Sequence, residues 1–160
     1  MKRKVLSVLV DNTSGVLNRV AGLFSRRGYN IDSLTVGETE NPKYSRMTIV
    51  VRGDDEILEQ IEKQISRLED VIRVEALGQA SVCRELILAK VAASPEERQQ
   101  VIAIADIFRA KIVDVAPESL MIELTGNQEK LTAFISLLDG FNILELVRTG
   151  ITGLARGITD

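Results

Sequence analysis

The stretch DNTSGVLNRVAGLFSRRGYNIDSL, residues 11–34, contains the pattern that decides the fold of the first half of the chain. An apolar run stops at Asp11, a short polar turn follows, and apolar residues then recur at three- and four-residue intervals as far as Gly28. This change of spacing predicts a buried strand, a turn and an amphipathic helix over residues 14–27. Glycine is frequent just past the end of a helix, so Gly28 predicts where this helix stops.

The same kind of pattern continues to about residue 76. Residues 4–10 are predicted to form a central strand before the helix, and residues 31–37 a second strand after it. A third strand, a second helix capped by Asp54, and a fourth strand follow. The apolar positions behind these assignments are Met47, Ile49 and Val51 in the third strand, Ile57, Ile61, Ile65 and Leu68 in the helix, and Ile72, Val74 and Ala76 in the fourth strand.

The order of elements returns in the second half with different residues. A strand over residues 86–92 leads to a helix whose first turn contains Pro95, where proline is tolerated. A hairpin then turns around Pro117. A second helix ends at Gly140, and a last strand over residues 143–147 closes the unit.

The two halves repeat at a distance of about 80 residues, which suits two small domains in tandem. Each half has the order βαββαβ, the ferredoxin-like plan of a four-stranded antiparallel sheet with two helices on one face. The predicted fold class is therefore α+β, with domains at residues 1–78 and 84–160 and a linker at residues 79–83. Small two-layer domains leave a sheet face and an edge strand open, so we expect a partner to cover them.

Composition and charge exclude several classes of protein. The net charge of −3 and the isoelectric point near 5.2 give no electrostatic reason to expect binding to nucleic acid or to an anionic membrane. The apolar run at residues 5–10 is shorter than the core of a signal peptide, and no stretch approaches the length of a membrane span. The lone Cys83 cannot form a disulfide within the chain. We therefore expect a cytoplasmic protein.

The chain has few residues suited to catalysis or metal binding. It contains no histidine and one cysteine, which excludes the usual Ser–His and Cys–His pairs, imidazole metal ligands and thiolate zinc sites. Its carboxylates are spaced along helix faces for pairing with lysine or arginine. Aromatic residues make up 4%, so a stacking platform for RNA is not expected. The composition favours a binding protein over an enzyme.

The turn NTSGVL, residues 12–17, is the strongest candidate for a ligand site. A helix start presents backbone amides that lack partners, and Gly15 lets a ligand approach the backbone closely. Such amides suit a carboxylate, and the side chain of Asn12 can donate or accept, enough to bond both ends of a zwitterion. The alternative is that Asn12, Thr13 and Ser14 only cap the helix.

The residues around this turn resemble a known family. A strand, then D/N-x-x-G-x-L-x-R-V at a helix start, then glycine and asparagine before the next strand, resembles the ACT domain, a ligand-sensing module of amino-acid metabolism. The run SGVLNRVAGLFSRRGYNIDSLTVG, followed by SRMTIVV, LEQIEKQ and LGQ, resembles more closely the regulatory small subunits of acetohydroxyacid synthase, also called acetolactate synthase. The runs RELILAKV, IFRAKIVDV and RTGITGLARG extend this resemblance through the second half.

The resemblance implies a regulatory subunit with no catalytic residues and no cofactor or metal of its own. Family members bind a catalytic large subunit that uses thiamine diphosphate, magnesium and FAD. They raise its activity and confer feedback inhibition by branched-chain amino acids, usually valine. The effector lies between the ACT domains of a homodimer. The positions that match are Asn12, Gly15, Val16 and Leu17 from one chain and Asn30 and Ile31 from the other, with Gln60 where the family has a residue that affects the valine response.

Two other functions remain open from the residues alone. One is a free-standing amino-acid sensor of the ACT type that acts on another enzyme or on a transporter. The other is a small enzyme of the acylphosphatase sort, which needs an arginine in a phosphate-cradling loop and an asparagine that orients the substrate. Arg19 lies one full turn into the helix, and we expect it to point away from the helix N-terminus, which argues against such an enzyme.

Overall fold

A computed structural model describes residues 2–158 of the chain. The chain divides into two compact units and passes between them twice. Unit 1 contains the chain up to Cys83 and again from Ile151, and unit 2 is Arg84–Gly150. None of the helices in this described part is long and apolar enough to cross a membrane.

Unit 1 is a four-stranded antiparallel sheet with two helices packed on one face. Its elements are β1 (Lys2–Asp11), α1 (Val16–Arg27), β2 (Ile31–Glu38), β3 (Tyr44–Gly53), α2 (Asp55–Ser66) and β4 (Val71–Leu77). The strand order is β2-β3-β1-β4, which makes β2 and β4 the edges. Alternate residues of the central strands, among them Leu6 and Val8 on β1 and Ile49 and Val51 on β3, are buried against both helices. This alternation places one face of each of the two strands against the helices.

Unit 2 repeats this plan. Its elements are β5 (Ser81–Ala92), which begins in unit 1, α3 (Arg98–Ile107), β6 (Lys111–Ala116), β7 (Ser119–Gly126), α4 (Gln128–Leu138) and β8 (Ile143–Arg148). The strand order β6-β7-β5-β8 matches that of unit 1 element by element. A further strand, β9 (Thr152–Ala155), belongs to unit 1 and pairs with β5. The predicted fold class, α+β with two ferredoxin-like domains in tandem, is confirmed.

The division into units differs from the sequence-based boundaries at the C-terminus. The described residues from Ile151 onward lie in unit 1, whereas the sequence placed residues 84–160 together. The expected boundary at residue 160 itself lies outside the described residues, as do residue 159 and residue 1. The reason is apolar burial, because the side chain of Ile151 packs against Val5 and Val50 on the sheet face that the helices leave open.

Three local predictions also need correction. The expected linker at residues 79–83 is mostly strand, since β5 already begins at Ser81 and includes Cys83. Pro95 precedes α3, which begins at Arg98. Ile72 is 49% exposed, because a β-bulge between Leu9 and Val10 shifts the pairing of β4 and turns other apolar residues of that strand towards the core.

Candidate functional site

The turn between β1 and α1 leaves the start of the helix open. The residue before α1 is Gly15, with φ 87°, and no side chain caps the helix. The alternative in which Asn12, Thr13 and Ser14 only cap the helix is therefore wrong. Because helix α1 lacks a side-chain cap, its first-turn amides can donate to a ligand, as a carboxylate requires.

Arg19 lies over this turn, and the expectation that it points away from the helix N-terminus is wrong. Its Nη1 would lie 2.9 Å from a Cβ on Gly15, and its Nη2 donates to the carbonyl oxygen of Ser14 at 3.5 Å. The Cα–Cβ bonds of a helix tilt towards its N-terminus, so a long side chain can reach back by one turn. Its Nε donates to Asp70, and this hydrogen bond raises the pKa of Arg19 above its ordinary value.

The side chain of Asn12 is held by the start of β3. Its Nδ2 donates to the carbonyl oxygen of Pro42 at 2.9 Å and lies 3.4 Å from Oε2 of Glu38. Its Oδ1 accepts from the hydroxyl of Ser45 at 3.0 Å. A side-chain amide has two N–H donors and two acceptor lone pairs, so Asn12 keeps capacity for a ligand while its orientation is fixed.

Val16 and Leu17 face in different directions. The side chain of Val16 is 4% exposed and packs in the core of unit 1, so this residue can offer only its backbone to a ligand. Leu17 is 45% exposed. It provides the apolar surface next to the open helix start, where an aliphatic group can pack.

Asn30 and Ile31 lie at the opposite end of the sheet from Asn12. In the antiparallel ladder, Ile31 pairs with Val51 at the end of β3, whereas Asp11 pairs with Tyr44 at its beginning. The seven residue steps from Tyr44 to Val51 correspond to about 23 Å at 3.3 Å per residue. One chain therefore does not bring the two groups together.

Gln60 lies near Asn30 and Ile31, at the same end of the sheet. Its Oε1 accepts a hydrogen bond from the hydroxyl of Tyr29 at 3.2 Å, and Tyr29 immediately precedes Asn30. The ring of Tyr29 meets Phe24 edge to face, with the ring centroids 6.2 Å apart. This contact ties the exposed Gln60 to the segment that leads into β2.

Sequence reasoning missed the residues that orient the turn. Ser45, Pro42 and Asp70 are remote from the turn in sequence, and Arg19 was assigned the wrong direction. The pairing of Val10 with Ser45 in the β1–β3 ladder brings Ser45 close to Asn12, and no local pattern in the sequence indicated this pairing.

Two protein-family models match the chain, one in each half. The model described as the AHAS small subunit-like ACT domain matches residues 6–73. The model described as the small subunit of acetolactate synthase matches residues 84–157. Together they cover most of both units.

Individual proteins with the same description match along almost their whole length. A probable acetolactate synthase small subunit of Methanothermobacter thermautotrophicus is 54% identical over 155 residues, 96% of this chain and 92% of that protein. The acetolactate synthase isozyme 3 small subunit of Escherichia coli is 52% identical over 157 residues, 97% of this chain and 96% of that protein. The crystal structure of the acetolactate synthase small subunit of Thermotoga maritima superposes with a TM-score of 0.90 at 44% identity, covering 99% of this chain and 100% of that chain.

Proposed function

The chain belongs to the family of acetolactate synthase small subunits, and we propose that it raises the activity of the catalytic large subunit and makes it subject to feedback inhibition by valine or another branched-chain amino acid. The observation that carries the effector part is the uncapped start of α1 beside the oriented amide of Asn12. An amino-acid ligand needs donors for its carboxylate and acceptors for its ammonium group, and this turn offers both.

A small aliphatic amino acid fits the turn group by group. Its carboxylate accepts from the first-turn amides of α1, where the helix dipole and Arg19 also favour a negative charge. Its ammonium group donates to Oδ1 of Asn12, and its side chain packs on the exposed Leu17. The close approach requires the left-handed Gly15.

The proposed effector site is completed by a second copy of the chain. Strand β2 is an edge of eight residues that lacks lysine and proline, the residues that usually block edge pairing. If two copies of β2 pair antiparallel about a two-fold axis between Leu34 and Thr35, Ile31 of the partner subunit lies opposite Glu38. Glu38 is next to Asn12, so this pairing brings the partner's Asn30 to the turn.

Regulation in this proposal is linkage between binding events, with no chemistry by this chain. Thiamine diphosphate, magnesium and FAD belong to the catalytic large subunit. Within residues 2–158, no group of three or more acidic or cysteine side chains could hold a metal ion. Valine can favour one packing of the dimer, and the large subunit can bind the two packings with different affinities. In that case each of them changes the binding affinity of the other, typically by about 5–150-fold.

Calorimetric titration of the purified chain with valine, leucine and isoleucine tests the effector part of this proposal. We expect at least one of them to bind with one site per chain, and D-valine to bind weakly because its ammonium group and side chain exchange places. Heat from none of the three would exclude the effector role. Co-purification with an acetolactate synthase large subunit tests the other part, and valine binding without that association would favour a free-standing sensor.

A further inference from the structure

The segment from Ile151 to Ala155, here called the strap, fastens unit 1 across its open sheet face. The backbone of Ile151 makes two hydrogen bonds to side chains of β2. Its amide donates to Oγ of Ser33 at 3.0 Å, and its carbonyl oxygen accepts from Oγ1 of Thr35 at 3.3 Å. The side chain of Ile151 is 8% exposed and covers Val5 and Val50.

The strap is fitted closely to the first residues of β5. A Cβ on Gly153 would lie 2.7 Å from Sγ of Cys83 and 3.0 Å from the carbonyl oxygen of Val82. Just past the strap, the amide of Arg156 donates to the carbonyl oxygen of Ala80 at 2.8 Å. A side chain larger than glycine at residue 153 therefore cannot be accommodated without a shift of the strap.

The strap makes hydrogen bonds to β2 that apolar packing alone does not require. Apolar cover for Val5 and Val50 requires only the side chain of Ile151, yet its backbone is bonded to β2, the strand that begins with the proposed effector residue Ile31. The residue before Ile151 is Gly150, the last residue of unit 2, where φ is 85°. The bonds to β2 are therefore made by the residue at which the chain re-enters unit 1 from unit 2.

We propose that the strap couples effector binding at β2 to unit 2, a statement that rests on the effector role proposed above. The docked strap holds β2 in the position that presents Asn30 and Ile31 to the partner's turn. Effector and docked strap then favour the same position of β2, so each strengthens the other. Release of the strap weakens the response to valine and leaves the turn at Asn12 intact.

The alkylation rate of the lone cysteine, Cys83, measures whether the strap is docked. Cys83 is partly buried, and Gly153 of the strap packs against it. Release of the strap should therefore raise the rate at which iodoacetamide alkylates Cys83. We expect valine to slow this reaction about fivefold or more, the lower end of ordinary allosteric coupling.

Two full-length variants test the coupling in complex with the large subunit. Gly153→Val pushes the strap off β5 and should raise the alkylation rate about tenfold or more. The double variant Ser33→Ala with Thr35→Val removes only the bonds to β2. In both, the valine concentration for half-inhibition should rise about fivefold or more, while sedimentation should still show the dimer of the unmodified chain. The matched controls are Gly78→Val, at a residue where an added Cβ would meet no atom within 4 Å, and the exposed Thr125→Val.

The outcomes separate this inference from the proposed function. If the double variant responds to valine like the unmodified chain, the coupling is overturned while the effector role stands, and this holds even if Gly153→Val fails to fold. If valine leaves the alkylation rate of the unmodified chain unchanged although calorimetry shows that it binds, the coupling is likewise overturned. If the unmodified chain binds none of the three amino acids, the proposed effector role fails and the coupling falls with it.

Discussion

The guanidinium of Arg19 lies so close over Gly15 that a Cβ at residue 15 would come within 2.9 Å of its Nη1. The same guanidinium is held by Asp70 and donates to the carbonyl oxygen of Ser14. Glycine is favoured at residue 15 by the φ of 87°, whereas the guanidinium above it is the end of a flexible side chain that a Cβ could displace. The turn at the start of α1 is therefore positioned partly by Asp70, a residue outside that helix.

Gly15→Ala should lower both stability and effector affinity. The left-handed backbone costs a residue with a Cβ about 1–2 kcal/mol. Denaturant unfolding and calorimetry with valine measure the two effects. Gly78→Ala is the control, since Gly78 has no left-handed φ and an added Cβ would meet no atom within 4 Å. Normal valine affinity in Gly15→Ala would contradict the assignment of the turn.

Asn12→Ala should weaken valine binding by about 10- to 150-fold, because a hydrogen bond to a charged group contributes about 1.5–3 kcal/mol. Activation of the large subunit without valine should survive. The control is Asn127→Ala, which removes an asparagine whose side chain caps α4 and should cost about 1 kcal/mol of stability without changing valine affinity. Loss of activation with normal valine binding would identify the turn as a docking surface instead.

The prediction that the chain dimerises through β2 is tested by a matched pair of valines. Val36 on the edge strand β2 is 46% exposed, and Val113 on the edge strand β6 is 47% exposed. Lysine on an edge strand opposes pairing with another strand. Val36→Lys should therefore shift the chain towards monomer in sedimentation at micromolar concentration, and Val113→Lys should not. A stable dimer in Val36→Lys would place the interface elsewhere.

Acid should weaken an ion pair on the open face of unit 2. Hydrogen bonding between Lys90 and Glu145, at 2.7 Å, lowers the pKa of Glu145 and raises that of Lys90. The stabilisation from this ion pair is present at pH values above 4.5, the ordinary pKa of a glutamate. It is lost as the pH falls through the lowered pKa of Glu145. Glu145→Gln should thus reduce the free energy of unfolding slightly at pH 7 and not at pH 2. The exposed Glu118→Gln is the control. Equal effects of Glu145→Gln on the free energy of unfolding at both pH values would contradict a stabilising ion pair between Lys90 and Glu145.

Local chemistry made much of the fold predictable from the sequence. Asp54 caps α2 as expected, with its carboxylate accepting from the amide of Ile57 at 2.8 Å. Gly28 ends α1 with φ 68°. In both cases the signal lies within a few residues of the structure that it causes. The repeated order of strands and helices then limited the topology to the ferredoxin-like plan in both halves.

The same local signals could not predict contacts between segments that are far apart in the sequence. Strand β9 has only four residues and is stabilised by pairing with β5, and the preceding Ile151 is held by Ser33 and Thr35, so the local sequence shows no clear period. In the candidate site, the sequence indicated the roles of Asn12 and Gly15, but the groups that orient Asn12 come from Pro42, in the turn before β3, and from Ser45 in β3. Sequence spacing also gave the wrong direction for Arg19, whose guanidinium is held by the remote Asp70.

Steady-state activity of an acetolactate synthase large subunit, measured alone, with the chain, and with the chain and valine, tests the central claim most directly. We expect the chain to raise the activity until the large subunit is saturated, and valine then to lower it only when the chain is present. Asn12→Ala should activate equally and require about 10- to 150-fold more valine. An activity that does not change on saturation with the chain, or a valine effect of equal size without the chain, would contradict the account.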